Sequence, residues 1–229
     1  MSQTAKPKAD GLLLVNKPVG ITSFDVIRRL RVSTGIRKIG HAGTLDPFAS
    51  GLMLMLFGTA CKQAESFAKL DKVYRATLRL GMTSSTGDKE GTMTTVNSRV
   101  PAESEVRDAL RYFVGEIRQT PSVYSAIKIQ GKEAYKRARA GEDVVMPSRL
   151  VNIRRIELLS YDYPNVTIVA EVSSGTYIRS LAEDVGKRLG TGAYLDTLVR
   201  TVSGTYELSN AVELDDVDHT SLSGFLRQV

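Results

Sequence analysis

Gly40 to Gly51 read GHAGTLDPFASG, and Leu52 to Phe57 continue as LMLMLF. The first twelve residues hold three glycines, a proline, one of the chain's two histidines and a single acid, Asp46. Glycine lets a backbone bend and proline fixes φ, so this stretch reads as a loop of defined shape. The unbroken apolar run behind it has the length and composition of a buried strand or core segment. Asp46, set between Leu45 and Pro47, therefore belongs to a rigid loop at the edge of an apolar core, where sites tend to be built.

Outward from this loop the chain alternates short elements. GLLLVNKPVG (11–20) reads as a buried strand ending in a Pro-Gly turn. TSFDVIRRLRVSTG (22–35) reads as a helix, with Thr22 or Ser23 as N-cap, Phe24, Ile27 and Leu30 as its apolar face and Gly35 as its stop. Residues 59–70 read as helical, and KVYRATLRLGM (72–82) alternates as a strand does. Pro101 opens a helix through residue 115, with Val106, Leu110 and Phe113 on one face. Residues 122–131 predict a strand, and KEAYKRARAG (132–141) predicts a short basic helix. Residues 149–161 and 165–172 predict a hairpin around YPN, and GTYIRSLAEDVGKRLG (175–190) predicts a loop leading into a helix. Ile178, Leu181, Val185 and Leu189 are spaced for that helix's core face. Strands dominate and no βαβ rhythm appears. The fold class is α+β, with a mixed, mostly antiparallel sheet flanked by helices.

The chain has 229 residues, enough for one large domain or one domain plus a small appendage. No apolar run approaches the roughly 18 residues that span a bilayer. The polar start MSQTAKPKAD lacks the apolar centre of a signal peptide, so a cytoplasmic location and a flexible segment over 1–10 are expected. Cys61 is the only cysteine, which excludes an internal disulfide or a cysteine metal cluster. With only His41 and His219 besides, the residues argue against zinc catalysis. The formal net charge is +6, and its distribution says more than its total. Between residues 11 and 45, Asp25 is the only acid against Lys17, Arg28, Arg29, Arg31, Arg37 and Lys38. Residues 128–139 hold five basic side chains and one acid, Glu133, whereas residues 205–229 are acidic. Two basic clusters suit a polyanionic partner on one face, and equally a solvated surface. Phosphate-loop, dinucleotide-binding and serine-elbow motifs are absent. What remains is a lone carboxylate, a histidine five residues before it, and basic or aromatic residues from elsewhere.

Five segments in order complete the reading: NKPVGITS, GHAGTLDPFASGLM, KVYRATLRLGMTSSTGD, PSVYSAIKIQGKEAY and GTYIRSLAEDVGKRLG. Over residues 11–204 the chain resembles the TruB family of bacterial tRNA pseudouridine synthases. The resemblance implies the pseudouridine synthase catalytic fold and isomerisation of uridine to pseudouridine, at uridine 55 in the T-loop of tRNA. It implies no cofactor and no metal. By the same resemblance Asp46 is the catalytic aspartate, Tyr74 the ring that stacks on the target base and assists proton removal from C5, and Arg179 the arginine that pairs with the aspartate. His41 resembles the histidine that holds the flipped nucleotide, and Tyr177 and Leu198 resemble pocket walls. Lys17 and Pro18 resemble residues of the pocket floor. Lys62 and residues 122–150, with Lys132, Lys136 and Arg137, resemble RNA-contacting elements. Ser173, Ser174 and Tyr194 depart from the family's usual Cys and His. Residues 205–229 are expected to form a short acidic tail, too short for the RNA-binding (PUA-type) domain in which relatives continue. The partner implied is the tRNA T-arm, with no membrane and no obligate protein partner. The alternative is a non-catalytic tRNA-binding or tRNA-folding protein, which would need the basic surface but not Asp46. A guide-RNA-dependent synthase is a further rival, and it would need the missing domain.

Overall fold

A computed structural model describes residues 9–123, 128–129, 131–134, 137 and 140–229. Residues 1–8 lie outside the described residues, as do 124–127 and 130 of the strand expected at 122–131. So do 135, 136, 138 and 139 of the basic helix expected at 132–141, of which Lys132 and Glu133 form a strand instead. The strands are β1 (Gly11–Lys17), β2 (Ile39–Ala42), β3 (Ser50–Phe57), β4 (Lys72–Leu80), β5 (Met82–Ser84), β6 (Met93–Thr95) and β7 (Gly115–Gln119). They continue with β8 (Lys128–Ile129), β9 (Lys132–Glu133), β10 (Arg149–Asp162), β11 (Asn165–Val172), β12 (Ala193–Ser203), β13 (Tyr206–Glu207) and β14 (Val212–Glu213). The helices are α1 (Ser23–Thr34), α2 (Ala64–Ala68), α3 (Glu103–Tyr112), α4 (Ile178–Leu189) and α5 (Leu222–Phe225). The sheet is mixed and mostly antiparallel, with helices around it, as an α+β chain requires. Two compact units divide the chain: residues 1–74 with 198–229, and residues 75–197.

In the first unit the strand order is β14-β1-β3-β12-β4. The apolar run Leu52–Phe57 is buried at every position, which is why it reads as continuous rather than alternating. β1 pairs with β3 antiparallel, Leu14 opposite Leu54, and β2 pairs with β3 through His41 opposite Met55. β12 joins β3 in parallel, with Val199 opposite Ser50 and Arg200 opposite Gly51. Leu12, Leu14, Leu52, Leu54 and Leu56 form one apolar cluster, covered by Phe67, Leu70, Tyr206 and Leu208. The expected helix at 59–70 is a 3-10 turn, Gly58–Gln63, that runs into the short α2. The acidic tail is built into this unit. β14 pairs with β1 in parallel, Val212 opposite Val15, and Leu214, Val217 and Leu222 are buried while the carboxylates beside them face out.

Helix α1 begins at a complete capping box. Thr22 Oγ1 accepts from the Asp25 amide at 3.0 Å, and the Asp25 carboxylate accepts from the Thr22 amide at 2.9 Å. Gly35, at φ 72°, ends the helix in the left-handed region. Its inner face is Ser23, Val26, Ile27, Leu30 and Thr34. Phe24, expected on that face, is 60% exposed. At 3.6 residues per turn it lies about 100° round the helix from Ser23. The small Ser23 takes the inward position because it is needed there, as shown below.

In the second unit the order is β12-β4-β11-β10-β7. The expected hairpin forms, with Asp162 opposite Asn165 at its tip. Val106, Leu110 and Phe113 of the α3 region are buried, as are Ile178, Leu181, Val185 and Leu189 of α4. Among the described residues no helix is long and apolar enough to cross a membrane.

Candidate active site

The backbone on both sides of Asp46 is held from two directions. A single hydroxyl grips Leu45: Ser23 Oγ accepts from the Leu45 amide at 2.9 Å and donates to the Leu45 carbonyl at 2.9 Å. Ser23 is the first residue of α1, so the capping box that fixes the helix start also fixes this clamp. On the other side, the Pro47 carbonyl accepts from the Gly20 amide at 2.8 Å and from Lys17 Nζ at 3.3 Å. The Asp46 carbonyl itself accepts from the Ala49 amide at 3.1 Å, closing a turn before β3. Asp46 is half-buried. Such a loop presents a carboxylate in one geometry, which proton transfer or nucleophilic attack requires.

Lys17 is fully buried. Besides Pro47, its ammonium donates to the carbonyls of Pro18 at 2.9 Å and Ile21 at 2.7 Å. It ties three carbonyls together beside the Asp46 loop. Pro18 is exposed beside it, and Lys62 is exposed in the 3-10 turn. Tyr74 lies on the buried face of β4 two residues from Lys72, and Leu198 is buried in β12. His41, in β2, has a buried Nδ1 without a partner among the described residues. Burial and then the charge of Arg200 hold its pKa below 6.5, which keeps the ring neutral at physiological pH.

Two cations that the sequence reading passed over stand behind this loop. Arg200 donates from Nε to the Leu52 carbonyl at 2.7 Å and from Nη2 to the Gly43 carbonyl at 3.1 Å. Lys72 donates to the carbonyls of Ala68 and Leu70, and burial, then Arg200, push its ammonium down to about 8. The available signal was a charged residue at an inward position of an apolar strand, in KVY and LVR.

The second unit holds Tyr177, Arg179 and the segment 122–150 that was expected to contact RNA. The Tyr177 backbone is clamped by Gln119, whose amide donates to the Tyr177 carbonyl at 3.2 Å and accepts from its amide at 3.0 Å. The Arg149 guanidinium stacks on the Tyr177 ring at 4.7 Å. Arg179 Nη1 donates to the Thr86 carbonyl at 3.0 Å and lies 3.4 Å from Asp88 Oδ2. Asp88 is in turn fixed by the Thr86 hydroxyl at 2.6 Å and the Glu90 amide at 3.0 Å. Asp88 belongs to the segment MTSSTGD, which the sequence reading singled out without giving its acid a role. Glu183, close to Gly87, has its pKa raised, chiefly by burial. Lys132 is exposed, Arg137 pairs with Glu142 at 2.6 Å, and Lys136 lies outside the described residues.

This geometry sits in a chain whose relatives are known. The family model described as TruB family pseudouridylate synthase (N terminal domain) matches residues 31–178. The tRNA pseudouridylate synthase B C-terminal domain matches residues 179–225. The chain belongs to the TruB family. It is 46% identical over 214 residues to a tRNA pseudouridine synthase B of Burkholderia pseudomallei, covering 93% of this chain and 71% of that protein. It is 43% identical over 217 residues to the one from Thiobacillus denitrificans, covering 95% and 73%. Among solved structures it is similar to a Cbf5-Nop10-Gar1 complex, with TM-score 0.72 and 28% identity over 90% of this chain. An H/ACA RNP bound to a substrate RNA containing 2'-deoxyuridine gives TM-score 0.68 and 26% identity, again over 90%. The chain spans about half the length of those two solved chains, 53% and 51%. As a TruB-family member it is an isomerase that converts uridine to pseudouridine in tRNA, which disfavours the non-catalytic alternative.

Proposed function

We propose that this TruB-family chain modifies uridine 55 in the T-loop of tRNA, with Asp46 as catalytic carboxylate, Tyr74 as stacking ring and Arg179 as the guanidinium of the reaction. The observation that carries the reading is the clamp on Leu45 and Pro47, which holds a half-buried carboxylate in a single backbone geometry. Pseudouridine formation breaks the C1′–N1 bond, rotates the uracil and joins C1′ to C5. The C5 proton leaves and N1 gains one, so no electron acceptor and no net water is consumed. Asp46 has three routes open to it: attack at C6, attack at C1′, or removal of the C2′ proton. A base must leave its stack before any of them, and an aromatic face such as Tyr74 replaces part of the lost stacking. His41, held neutral, suits the grip on a flipped nucleotide without adding charge.

Recognition is assigned to the T-arm alone, in the cytoplasm and without an obligate protein partner. Exposed Lys132 supplies a phosphate contact, and Arg137, already engaged with Glu142, supplies less. The test maps pseudouridine by mass spectrometry in full tRNA and in an isolated T-arm hairpin after incubation with the pure protein. Modification at position 55 with efficiencies within about tenfold of each other, or ~1.4 kcal/mol, is expected. Modification at another uridine, or a hairpin hundreds of times worse, contradicts the T-arm reading.

A further inference from the structure

One side chain touches both ends of the Asp46 loop. Arg200 is 1% exposed, and its guanidinium joins the Gly43 carbonyl, where the loop leaves β2, to the Leu52 carbonyl, just inside β3. Its backbone also stands opposite Gly51 in the parallel β3–β12 ladder. Both glycines are fitted to it. A Cβ on Gly51 would run into the Arg200 carbonyl. A Cβ on Gly43, whose φ is +85°, would come within 3.2 Å of Nη1.

The arrangement is costly in charge. A guanidinium stays protonated, and among the described residues no carboxylate pairs with Arg200. The same charge opposes protonation of buried Lys72 and of His41. Packing alone would favour an apolar side chain here. A rigid planar fork holds two carbonyls at a spacing that its own geometry sets.

We propose that Arg200 is a positioning residue for the Asp46 carboxylate: by tying Gly43 to Leu52 it sets the span of the loop between them. The proposal rests on Asp46 being the reacting group. With Ser23 and Lys17 gripping the middle of the loop, Arg200 fixes its ends, so a change there shifts Asp46 without touching RNA.

Single-turnover rates and RNA binding on a T-arm hairpin test this, with wild type run alongside. Arg200→Gln is expected to lower the rate about 100-fold, the order that a 1 Å misplacement costs. Its hairpin affinity stays within about threefold and its binding stoichiometry is unchanged, because phosphate contacts carry most of the affinity. Arg200→Lys recovers part of the rate, since an ammonium keeps the charge without the planar fork that spaces the two carbonyls. Gly43→Ala keeps the charge but displaces the guanidinium, and lowers the rate in the same way. It decides the matter if the Arg200 variants fail to fold. A folded Arg200→Gln protein at the wild-type rate, or a wild-type rate in Gly43→Ala, overturns the proposal. So does a parallel loss of rate and binding stoichiometry in Arg200→Gln and Arg200→Lys, which means support of the fold alone. An inactive wild type sinks the Asp46 reading instead.

Discussion

Arg179 and Asp88 form a buried ion pair, with Nη1 3.4 Å from Oδ2 and side chains 5% and 6% exposed. Asp88 also accepts from the Thr86 hydroxyl and the Glu90 amide, so the carboxylate is held before the arginine reaches it. Removing the carboxylate from a buried pair weakens the region it ties together, by up to about 3–5 kcal/mol. Asp88→Ala is therefore expected to lose stability in that range by urea denaturation. Asp88→Asn, which keeps the shape and its acceptor oxygen, loses less but lowers turnover by freeing the orientation of Arg179. Full stability in Asp88→Ala would show that the pair does not hold this region.

The Ser23 hydroxyl is a second test of geometry. Ser23→Ala removes the acceptor for the Leu45 amide and the donor to its carbonyl. Leaving those groups unsatisfied costs about 1–3 kcal/mol. The rate is expected to fall by more than the lost folded fraction explains, because Leu45 adjoins Asp46. A variant whose rate loss matches its unfolded fraction would show that the clamp serves stability only.

Two groups make stability depend on pH with a definite sign. Lys72 falls from an ordinary 10.5 to about 8, so between those values the unfolded chain binds more protons than the folded one. Its contribution to stability rises as pH climbs through that window, and Lys72→Met abolishes that part of the slope. His41 lies below its ordinary 6.5, again with fewer protons in the folded state. Its contribution is present above pH 6.5 and is lost as the pH falls through the depressed value. His41→Gln is expected to flatten this acid limb. Denaturation midpoints across both windows check the two slopes, and an unchanged slope in either variant removes that residue from the account.

The sequence exposed the parts of this fold that local pattern determines. The buried run 52–57, the hairpin around residues 162–165 and the inward positions of α3 and α4 follow from periodicity and turn residues. Phe24 was misplaced because an apolar residue at a helix start resembles a core residue, while the hydroxyl that matters there is on Ser23. Lys17 drew notice only through its resemblance to a motif residue, and its tie among three carbonyls was not legible. Arg200, Lys72 and Asp88 were missed for one reason. Their partners are backbone carbonyls or residues remote in sequence, and a charged residue in a strand gives no sign of which carbonyl it will meet. The tail after residue 204 looked acidic and short, yet its apolar residues at 212, 214, 217 and 222 are what attach it to β1 and the core.

The central claim is that the carboxylate of Asp46 performs the reaction while the rest of the site holds it in place. The most direct measurement is single-turnover pseudouridine formation by Asp46→Asn, scored by mass spectrometry on a T-arm hairpin and paired with hairpin binding. The amide keeps the size and loses the charge, the nucleophile and the base together. The predicted result is binding within about threefold of wild type, since phosphate contacts dominate affinity, and no pseudouridine above the level set by deamidation. Turnover by the pure variant beyond that level would contradict the claim and move the chemistry to another residue.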